Sequence, residues 1–387
     1  MLRRIFASIL SFFSFMVGLI IALPPMSFRQ WAPQMAASEA GWVAAIAGAM
    51  GLALKPNRRR TIVLAGLGIW LTMRPYRQFW RGFRENDEAM RIGLGVRYLD
   101  EIAPDVRPYL QSEPLSITRL PSLSLNMTQA EIIPDVVFRE TETRILKLDV
   151  YRPKTAPLRE TGYPAIITIH GGSWRSGNKG QYFNNMYQRL TEQGYAFFDI
   201  QYRFSQEAHW PAQYEDVAAA LEWVVEHAEE YGVDASRIAL LGRSAGGFLA
   251  LHAAYRAAPE LGIKAVVAYY SPIDLRLWPL DPGSVGVQLM GGLPHEMPER
   301  YSDAAVTSHL HESCPPTMLI HGRKDSVVPI LHSQVLREAL DDVHVPSVLL
   351  SVPWGQHGFD GILGGPGAQM TDYHLERFLA WALYKDD

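Results

Sequence analysis

The sequence contains three residues that could together hydrolyse an acyl bond: Ser244, Asp325 and His357. Each of them follows a short apolar run. Ser244 is the centre of Gly242-Arg243-Ser244-Ala245-Gly246, with an apolar run before it and a leucine- and alanine-rich stretch after it. Glycines at these spacings permit a sharp turn between a strand and a helix, and the turn exposes the serine hydroxyl. Because a free hydroxyl is a weak nucleophile, the motif needs a base and an orienting acid elsewhere. Alone, it fits a glycine-rich turn without chemistry equally well.

Asp325 and His357 meet that requirement in order and in placement. Asp325 comes shortly after the apolar run Thr317–Ile320, and His357 lies between glycines shortly after Ser347–Val352. The order Ser–Asp–His, with each residue beyond a strand, is that of acyl-transfer sites on α/β sheets. We therefore predict Ser244 as the nucleophile, His357 as the general base and Asp325 as the group that orients the imidazole.

A second glycine-containing turn predicts an oxyanion hole. The apolar run 166–169 ends in His170-Gly171-Gly172-Ser173-Trp174. Glycines after a strand leave their backbone N–H groups unshielded, as stabilisation of an oxyanion requires. We predict donors at Gly171, Gly172 and Ala245, and a structural role for His170.

Composition excludes several other classes of function. The chain has 387 residues, a net charge of −4 and one cysteine, Cys314, so that it cannot form an internal disulfide or a cysteine-based metal cluster. The overall charge gives no sign of a nucleic-acid partner. His309 and His311 do not by themselves form the spacing of a known metal-binding motif, and no glycine-rich phosphate loop with its lysine is present. We predict neither a metal nor a cofactor.

Strand and helix patterns alternate over residues 131–387. Continuous apolar strands separated by amphipathic helices predict a mainly parallel sheet covered on both faces. Residues 85–130 are predicted to be a polar connector, and 275–312 a lid insertion. Trp174 and Trp354 fall near the predicted catalytic edge and are assigned to the substrate pocket, although ordinary core packing explains them equally well.

Residues 1–84 are predicted to anchor the chain in a bilayer through two or three apolar helices. Residues 5–23 carry no charge and are long enough to span, while a cleavable signal peptide is the competing interpretation. Residues 36–54 place small residues at helical spacing, typical of packing in lipid; an alanine-rich buried helix is the alternative.

The third apolar run, 61–73, decides on which side of the membrane the remaining chain lies. It is short for a span, and the arginine- and aromatic-rich stretch 74–84 after it is typical of a membrane-surface helix. The basic residues Arg3, Arg4 and Arg58–Arg60 are predicted to be cytoplasmic. Two crossings or three satisfy these patterns, so the sequence leaves the side of the catalytic domain open.

Together these motifs resemble the α/β-hydrolase superfamily. Within it the chain is similar to the carboxylesterase branch that includes feruloyl and acetyl esterases, hormone-sensitive-lipase-like esterases, kynurenine formamidase and prenylcysteine methylesterase. The segments that carry the resemblance are 148–153, 170–172, 199–203, 211–223, 242–247, 269–275 and those around Asp325 and His357. Ser173-Trp174 replaces the third glycine usual in the lipase-like members, which favours the feruloyl- and prenylcysteine-esterase types. The resemblance implies the roles assigned above to the triad and to the three oxyanion donors.

These observations favour a membrane-anchored serine hydrolase acting on a small or lipid-like carboxylic ester. A peptidase resembling prolyl oligopeptidase would use the same triad, but no gating domain precedes the hydrolase part. A membrane scaffold with an inactive hydrolase fold is the third hypothesis, which an intact triad disfavours.

Overall fold

The computed structural model describes residues 2–23, 31–56, 58–119, 130–180, 184–257, 261–278, 280–362 and 364–385. Among these residues, five α-helices precede the first strand: α1 (Leu2–Ala22), α2 (Trp31–Glu39), α3 (Gly41–Ala53), α4 (Arg59–Thr72) and α5 (Arg74–Leu94). Eight strands follow: β1 (Ala130–Glu140), β2 (Ile145–Pro153), β3 (Tyr163–Ile169), β4 (Ala196–Ile200), β5 (Val233–Arg243), β6 (Ile263–Tyr269), β7 (Thr317–Gly322) and β8 (Ser347–Val352). The helices among and after them are α6 (Asn184–Glu192), α7 (Ala212–Glu226), α8 (Ala245–Arg256), α9 (Val285–Met290), α10 (Pro298–Asp303), α11 (Leu331–Asp342) and α12 (Pro366–Leu383).

The strands form one eight-stranded sheet in the order β1-β2-β4-β3-β5-β6-β7-β8. The first two pairings in this order, β1 with β2 and β2 with β4, are antiparallel, and all the following ones are parallel. Parallel strands direct their carboxyl ends to the same edge, so the loops after β3, β5, β7 and β8 meet there. This is the mainly parallel sheet predicted from the sequence.

Helices cover both faces of the sheet. Successive side chains of a strand point to opposite faces, and neighbours such as Ile166 and Ile167 accordingly belong to two separate apolar clusters. One cluster includes Val217 of α7 and Leu249 of α8, and the other includes Phe378 of α12. Burial on both faces explains why the central strands are continuous apolar runs.

Helices α1, α3 and α4 form a bundle whose interior consists of small residues; α1 and α4 are parallel, and α3 runs antiparallel to both. A Cβ atom at Gly68 of α4 would lie 2.6 Å from the backbone nitrogen of Phe15 in α1. One at Gly48 of α3 would lie 2.7 Å from the Ser14 hydroxyl oxygen. Small residues of this kind allow helix backbones to approach closely where lipid provides no hydrophobic drive for association.

The outward faces of the same bundle are apolar. Exposed side chains on it include Phe6, Ile9, Phe12, Phe13, Val43, Ile46, Met50, Ile62, Val63, Leu67 and Trp70. By length and composition α1, with a mean hydropathy of 2.4, is able to cross a membrane, while α2 and α3 pass the same test only as a pair bent by 65°. A signal sequence and the core helix of a soluble protein also pass that test.

The two ends of the bundle differ in charge and in neighbours. The hydroxyl oxygens of Ser8 and Thr61 lie 3.3 Å apart, which brings the basic starts of α1 and α4 to the same end. At the other end, a Cβ at Gly41 would lie 2.6 Å from the Thr72 carbonyl oxygen, and Lys324 Nζ donates to the Ile21 carbonyl 3.3 Å away. The sheet and the helices that cover it therefore lie at the end of the bundle remote from Arg3, Arg4 and Arg58–Arg60.

The apolar block 36–54 is divided between two helices. The chain bends at Ala40, and residues before and after it belong to separate helices, α2 and α3. Glu39, directly before the bend, is fully buried, and its carboxyl oxygens accept hydrogen bonds from Trp354 Nε1 and the Gly367 backbone N–H, both at 2.8 Å. These bonds hold the end of α2 against the loop after β8 and the start of α12.

Helix α5 continues through the predicted boundary between residues 84 and 85 and packs on the edge strand β8. Phe79 and Met90 on its inner face are fully buried, so this face covers protein and not the membrane surface predicted for 74–84. Asn86 Oδ1 accepts a hydrogen bond from the backbone N–H of Ser351 at 2.9 Å. A Cβ at Gly93 would lie 2.1 Å from the Ser347 carbonyl oxygen, so glycine there permits the close approach.

Candidate active site

Ser244 lies in a sharp turn between β5 and α8. Its backbone has φ 53° and ψ −119°, a conformation that is uncommon for a residue with a side chain. The turn closes so tightly that a Cβ at Gly242 would be 2.1 Å from the Gly246 carbonyl oxygen, and one at Gly246 would be 2.2 Å from that of Ile169. The two glycines of the motif are thus required by backbone contact.

The three residues predicted as a triad are joined by hydrogen bonds. Ser244 Oγ lies 3.0 Å from His357 Nε2, and His357 Nδ1 lies 2.8 Å from Asp325 Oδ2. Ser244 follows β5, Asp325 follows β7 and His357 follows β8, so all three side chains lie at the carboxyl edge of the parallel strands. The distances allow the imidazole to take the serine proton while the carboxylate fixes its other nitrogen.

Asp325 is held as a carboxylate by its surroundings. Its Oδ1 accepts hydrogen bonds from the backbone N–H groups of Val327 at 2.8 Å and Val328 at 2.9 Å. Burial would raise the pKa of this carboxyl, but the charge of His357 and hydrogen bonds from His321 and His357 hold the pKa well below its usual range. The group thus stays ionised and points its second oxygen at His357.

The residues predicted to form an oxyanion hole lie beside the serine. A Cβ at Gly171 would lie 3.4 Å from the Ser244 Cβ, so the β3 turn passes directly over the nucleophile. Gly172 has φ +124°, which favours glycine. Ala245 is the first residue of α8, where backbone N–H groups have no partner inside the helix. His170 is buried, stacks on Tyr202 and has its pKa lowered to about 4 by burial, as expected for a structural histidine.

A cavity of about 400 Å³ adjoins these residues. It is lined by Trp31, Met35, Gly171, Gly172, Ser173, Ser176, Gly177, Arg243, Ser244, Tyr270, Val327, His357, Gly358, Asp360 and Gly361. Its volume lies at the lower end of the ~300–1,000 Å³ usual for small-molecule sites.

Neither tryptophan assigned to the substrate pocket is among the residues that line this cavity. Trp174 packs edge-on against Phe248 in one core cluster, with ring centroids 5.3 Å apart. Trp354 stacks with Phe79 in the other cluster and donates to Glu39. Both side chains are fully buried, so core packing accounts for both.

The predicted lid, 275–312, also contributes no residue to the cavity among those that the structure describes. It contains the short helices α9 and α10, and is fastened to the hydrolase core. The backbone N–H of Trp210 donates to the Leu289 carbonyl at 2.9 Å, and its indole Nε1 donates to Asp303 Oδ2 at 2.8 Å. The part of the cavity wall that a lid would have formed is supplied instead by Trp31 and Met35 of α2.

An ion pair next to the nucleophile was also missed. Arg243 Nε donates to Asp360 Oδ2 at 2.5 Å, and the Tyr270 hydroxyl donates to Asp360 Oδ1 at 2.7 Å. Burial would lower the pKa of Arg243, but the adjacent Asp360 holds it above its ordinary value. Arg243 occupies the first unspecified position of the Gly-x-Ser-x-Gly motif and could have been noted there. No sequence pattern indicates its partner Asp360, which is more than a hundred positions away.

Within the described part of the chain, no group of three or more His, Cys, Asp or Glu side chains is placed to hold a metal.

Known proteins share both the sequence and the fold. Residues 148–340 match the family model described as BD-FAE. The probable carboxylic ester hydrolase LipM of Mycobacterium tuberculosis is 32% identical over 249 residues, which are 60% of this chain and 57% of LipM. Esterase LipQ of the same organism is 31% identical, over 55% of this chain and 54% of LipQ. The chain thus spans little more than half the length of these relatives.

Two solved structures have the same fold as the hydrolase part. A truncated carbohydrate esterase from gut microbiota is 27% identical, with a TM-score of 0.55 over 65% of this chain and 98% of that one. A bifunctional GH43-CE protein of Bacteroides eggerthii is 28% identical, with a TM-score of 0.53 over 59% of this chain and 35% of that one. The chain is thus an α/β-hydrolase of the carboxylesterase branch. Its residues 148–340 belong to the BD-FAE family.

Proposed function

We propose that the protein is a membrane-anchored serine carboxylesterase. The observation that carries the proposal is the hydrogen-bonded chain Ser244–His357–Asp325 beside a cavity large enough for an ester. The names of the relatives, carboxylic ester hydrolase and esterase, favour an ester over a peptide substrate.

The reaction divides into two acyl transfers. Ser244 Oγ attacks the ester carbonyl as His357 Nε2 takes its proton, and the oxyanion is stabilised by backbone N–H groups of Gly171, Gly172 and Ala245. His357 then returns the proton to the leaving alkoxide, which departs as the alcohol. Water, deprotonated by His357, attacks the acyl-enzyme and releases the carboxylic acid and free Ser244.

The proposed anchor is the bundle of α1, α3 and α4. Its arrangement is the reverse of that in a water-soluble domain, with large apolar side chains outside and glycine, alanine and serine inside. The hydropathy of α1 supports the same interpretation. A bilayer would cover apolar surface that water would otherwise contact.

Replacement of the nucleophile tests the catalytic part. We expect Ser244→Ala to lower turnover of p-nitrophenyl butyrate by about 10⁶-fold, as in other serine hydrolases stripped of their nucleophile. A fluorophosphonate probe should label the unmodified chain and not the variant. Labelling with cleavage of peptides but not of esters would favour a peptidase, and full esterase activity in a folded Ser244→Ala variant would contradict the assignment.

A further inference from the structure

Helix α2 connects the bundle to the catalytic centre. It follows α1 in the chain, and Ala40 alone separates it from α3. Gln34 Nε2 donates to the Leu23 carbonyl at 2.9 Å, which ties α2 to the end of α1. If α1 and α3 lie in the bilayer, α2 lies at the level where the chain leaves it.

The same helix is bonded to the loop that carries the catalytic histidine. Gln356 Nε2, from the residue before His357, donates to Gln34 Oε1 at 2.9 Å. Glu39 accepts from Trp354 in that loop. Gln34, Gln356 and Glu39 are all buried, so the bonds are shielded from water and fix α2 relative to His357.

Two side chains of α2 complete the cavity. The Trp31 ring meets the His357 ring edge-on, with centroids 6.0 Å apart and planes at 88°. Met35, one turn later, lines the cavity as well. Methionine and tryptophan offer a large apolar surface, and the unbranched methionine side chain adapts to a flexible partner. The wall nearest the bundle is thus apolar, whereas the ion-paired Arg243 and Asp360 belong to the remainder of the lining.

From this placement we propose that the cavity takes the acyl chain of an amphiphilic ester that resides in the bilayer, with Trp31 and Met35 in contact with the chain. The inference rests on the proposed esterase activity and names its substrate class. The ester group reaches Ser244 while the remainder of the molecule stays in the leaflet at the α2 end of the bundle. Trp31 and Met35 act as specificity residues for chain length and take no part in bond cleavage.

The test uses the full chain in phospholipid vesicles, with p-nitrophenyl palmitate dissolved in the same vesicles and p-nitrophenyl butyrate added to the water. We expect Trp31→Ala and Met35→Ala each to lower the ratio of palmitate to butyrate kcat/KM by about tenfold or more, the effect of a lost apolar contact in a pocket. Trp70→Ala and Met50→Ala, on exposed outer faces of the bundle, are matched controls that should leave the ratio unchanged. Met35→Leu, similar in volume, should restore most of the ratio.

A second arm tests the source of the ester. Palmitate ester in the enzyme's own vesicles should be cleaved faster than the same amount supplied in separate vesicles. The proposal is overturned if the ratio in both folded α2 variants stays within twofold of the unmodified value, or if both modes of supply give equal rates. Absence of Ser244-dependent hydrolysis of either ester would instead overturn the esterase activity itself.

Discussion

At the scale of single residues, the proximity of Ser244, Asp325 and His357 could be predicted from sequence because each of them follows a recognisable strand. Glycines mark the turn at Ser244, and apolar runs mark the ends of β7 and β8. Trp174 and Trp354 could not be placed in the same way. A tryptophan near a strand end fits a pocket and a core equally well, and which one it joins depends on contacts such as that of Trp354 with Glu39, 315 residues apart.

Asp325→Asn tests the orienting role of the acid. The amide oxygen can still accept the bonds now made by the Val327 and Val328 N–H groups, so we expect the fold to survive. An amide that presents its NH₂ to His357 Nδ1 would favour the wrong tautomer, and kcat for a soluble ester should fall by about 10⁴-fold. Thermal denaturation of the same variant is the control. A kcat within tenfold of the unmodified value would show that His357 needs no orienting carboxylate.

At the scale of elements, the strands of the hydrolase part could be predicted far better than the N-terminal helices. The continuity of apolar residues identifies a buried strand, and β8 has the ends of the apolar run Ser347–Val352. The apolar block 36–54, by contrast, contains one glutamate and has the pattern of a single membrane-spanning helix. Glu39, directly before the bend at Ala40, has hydrogen-bond partners more than 300 positions away in Trp354 and Gly367, so the local sequence pattern does not indicate that α2 packs beside the cavity.

Two glycines of α4 test how the bundle packs. Gly68→Ala would place a Cβ 2.6 Å from the backbone of α1, whereas nothing lies within 4 Å of a Cβ at Gly66. We expect Gly68→Ala to lower the denaturation temperature of the detergent-solubilised protein by several degrees, because the contacting backbone cannot move aside. Gly66→Ala should leave it unchanged or raise it slightly, since alanine favours helix by about 1 kcal/mol. Equal effects of the two substitutions would contradict this packing of α4 on α1.

At the scale of the whole molecule, the packing of the bundle supports our proposal that α4 crosses the bilayer beside α1. α4 has only 14 residues, or about 21 Å, against a bilayer core of about 30 Å. Its close contacts with α1 nevertheless place it alongside a helix of 21 residues, with both basic starts at the same end. Thinning of the bilayer and snorkelling of Arg59 and Arg60 would accommodate the difference in length.

If α1, α3 and α4 all cross the bilayer, as we propose, the hydrolase part lies on the side opposite Arg3, Arg4 and Arg58–Arg60. Since arginine-rich ends stay in the cytoplasm, we expect a C-terminal tag to be cleaved by protease added to intact cells. An N-terminal tag on the same chain is the matched control and should be cleaved only after lysis. Protection of both tags in intact cells would mean that α4 does not cross, and that the catalytic domain faces the cytoplasm.

Helix α5 covers the edge strand β8, and this determines where a fragment of the hydrolase part without its proposed anchor should begin. β8 is the last strand of the sheet, and its Ser351 N–H is bonded by Asn86 of α5. A fragment that starts at residue 130 would leave this row of backbone groups bare, as a template on which a second molecule could add a strand and aggregate. A fragment that keeps α5 from Arg74 onward retains the cover.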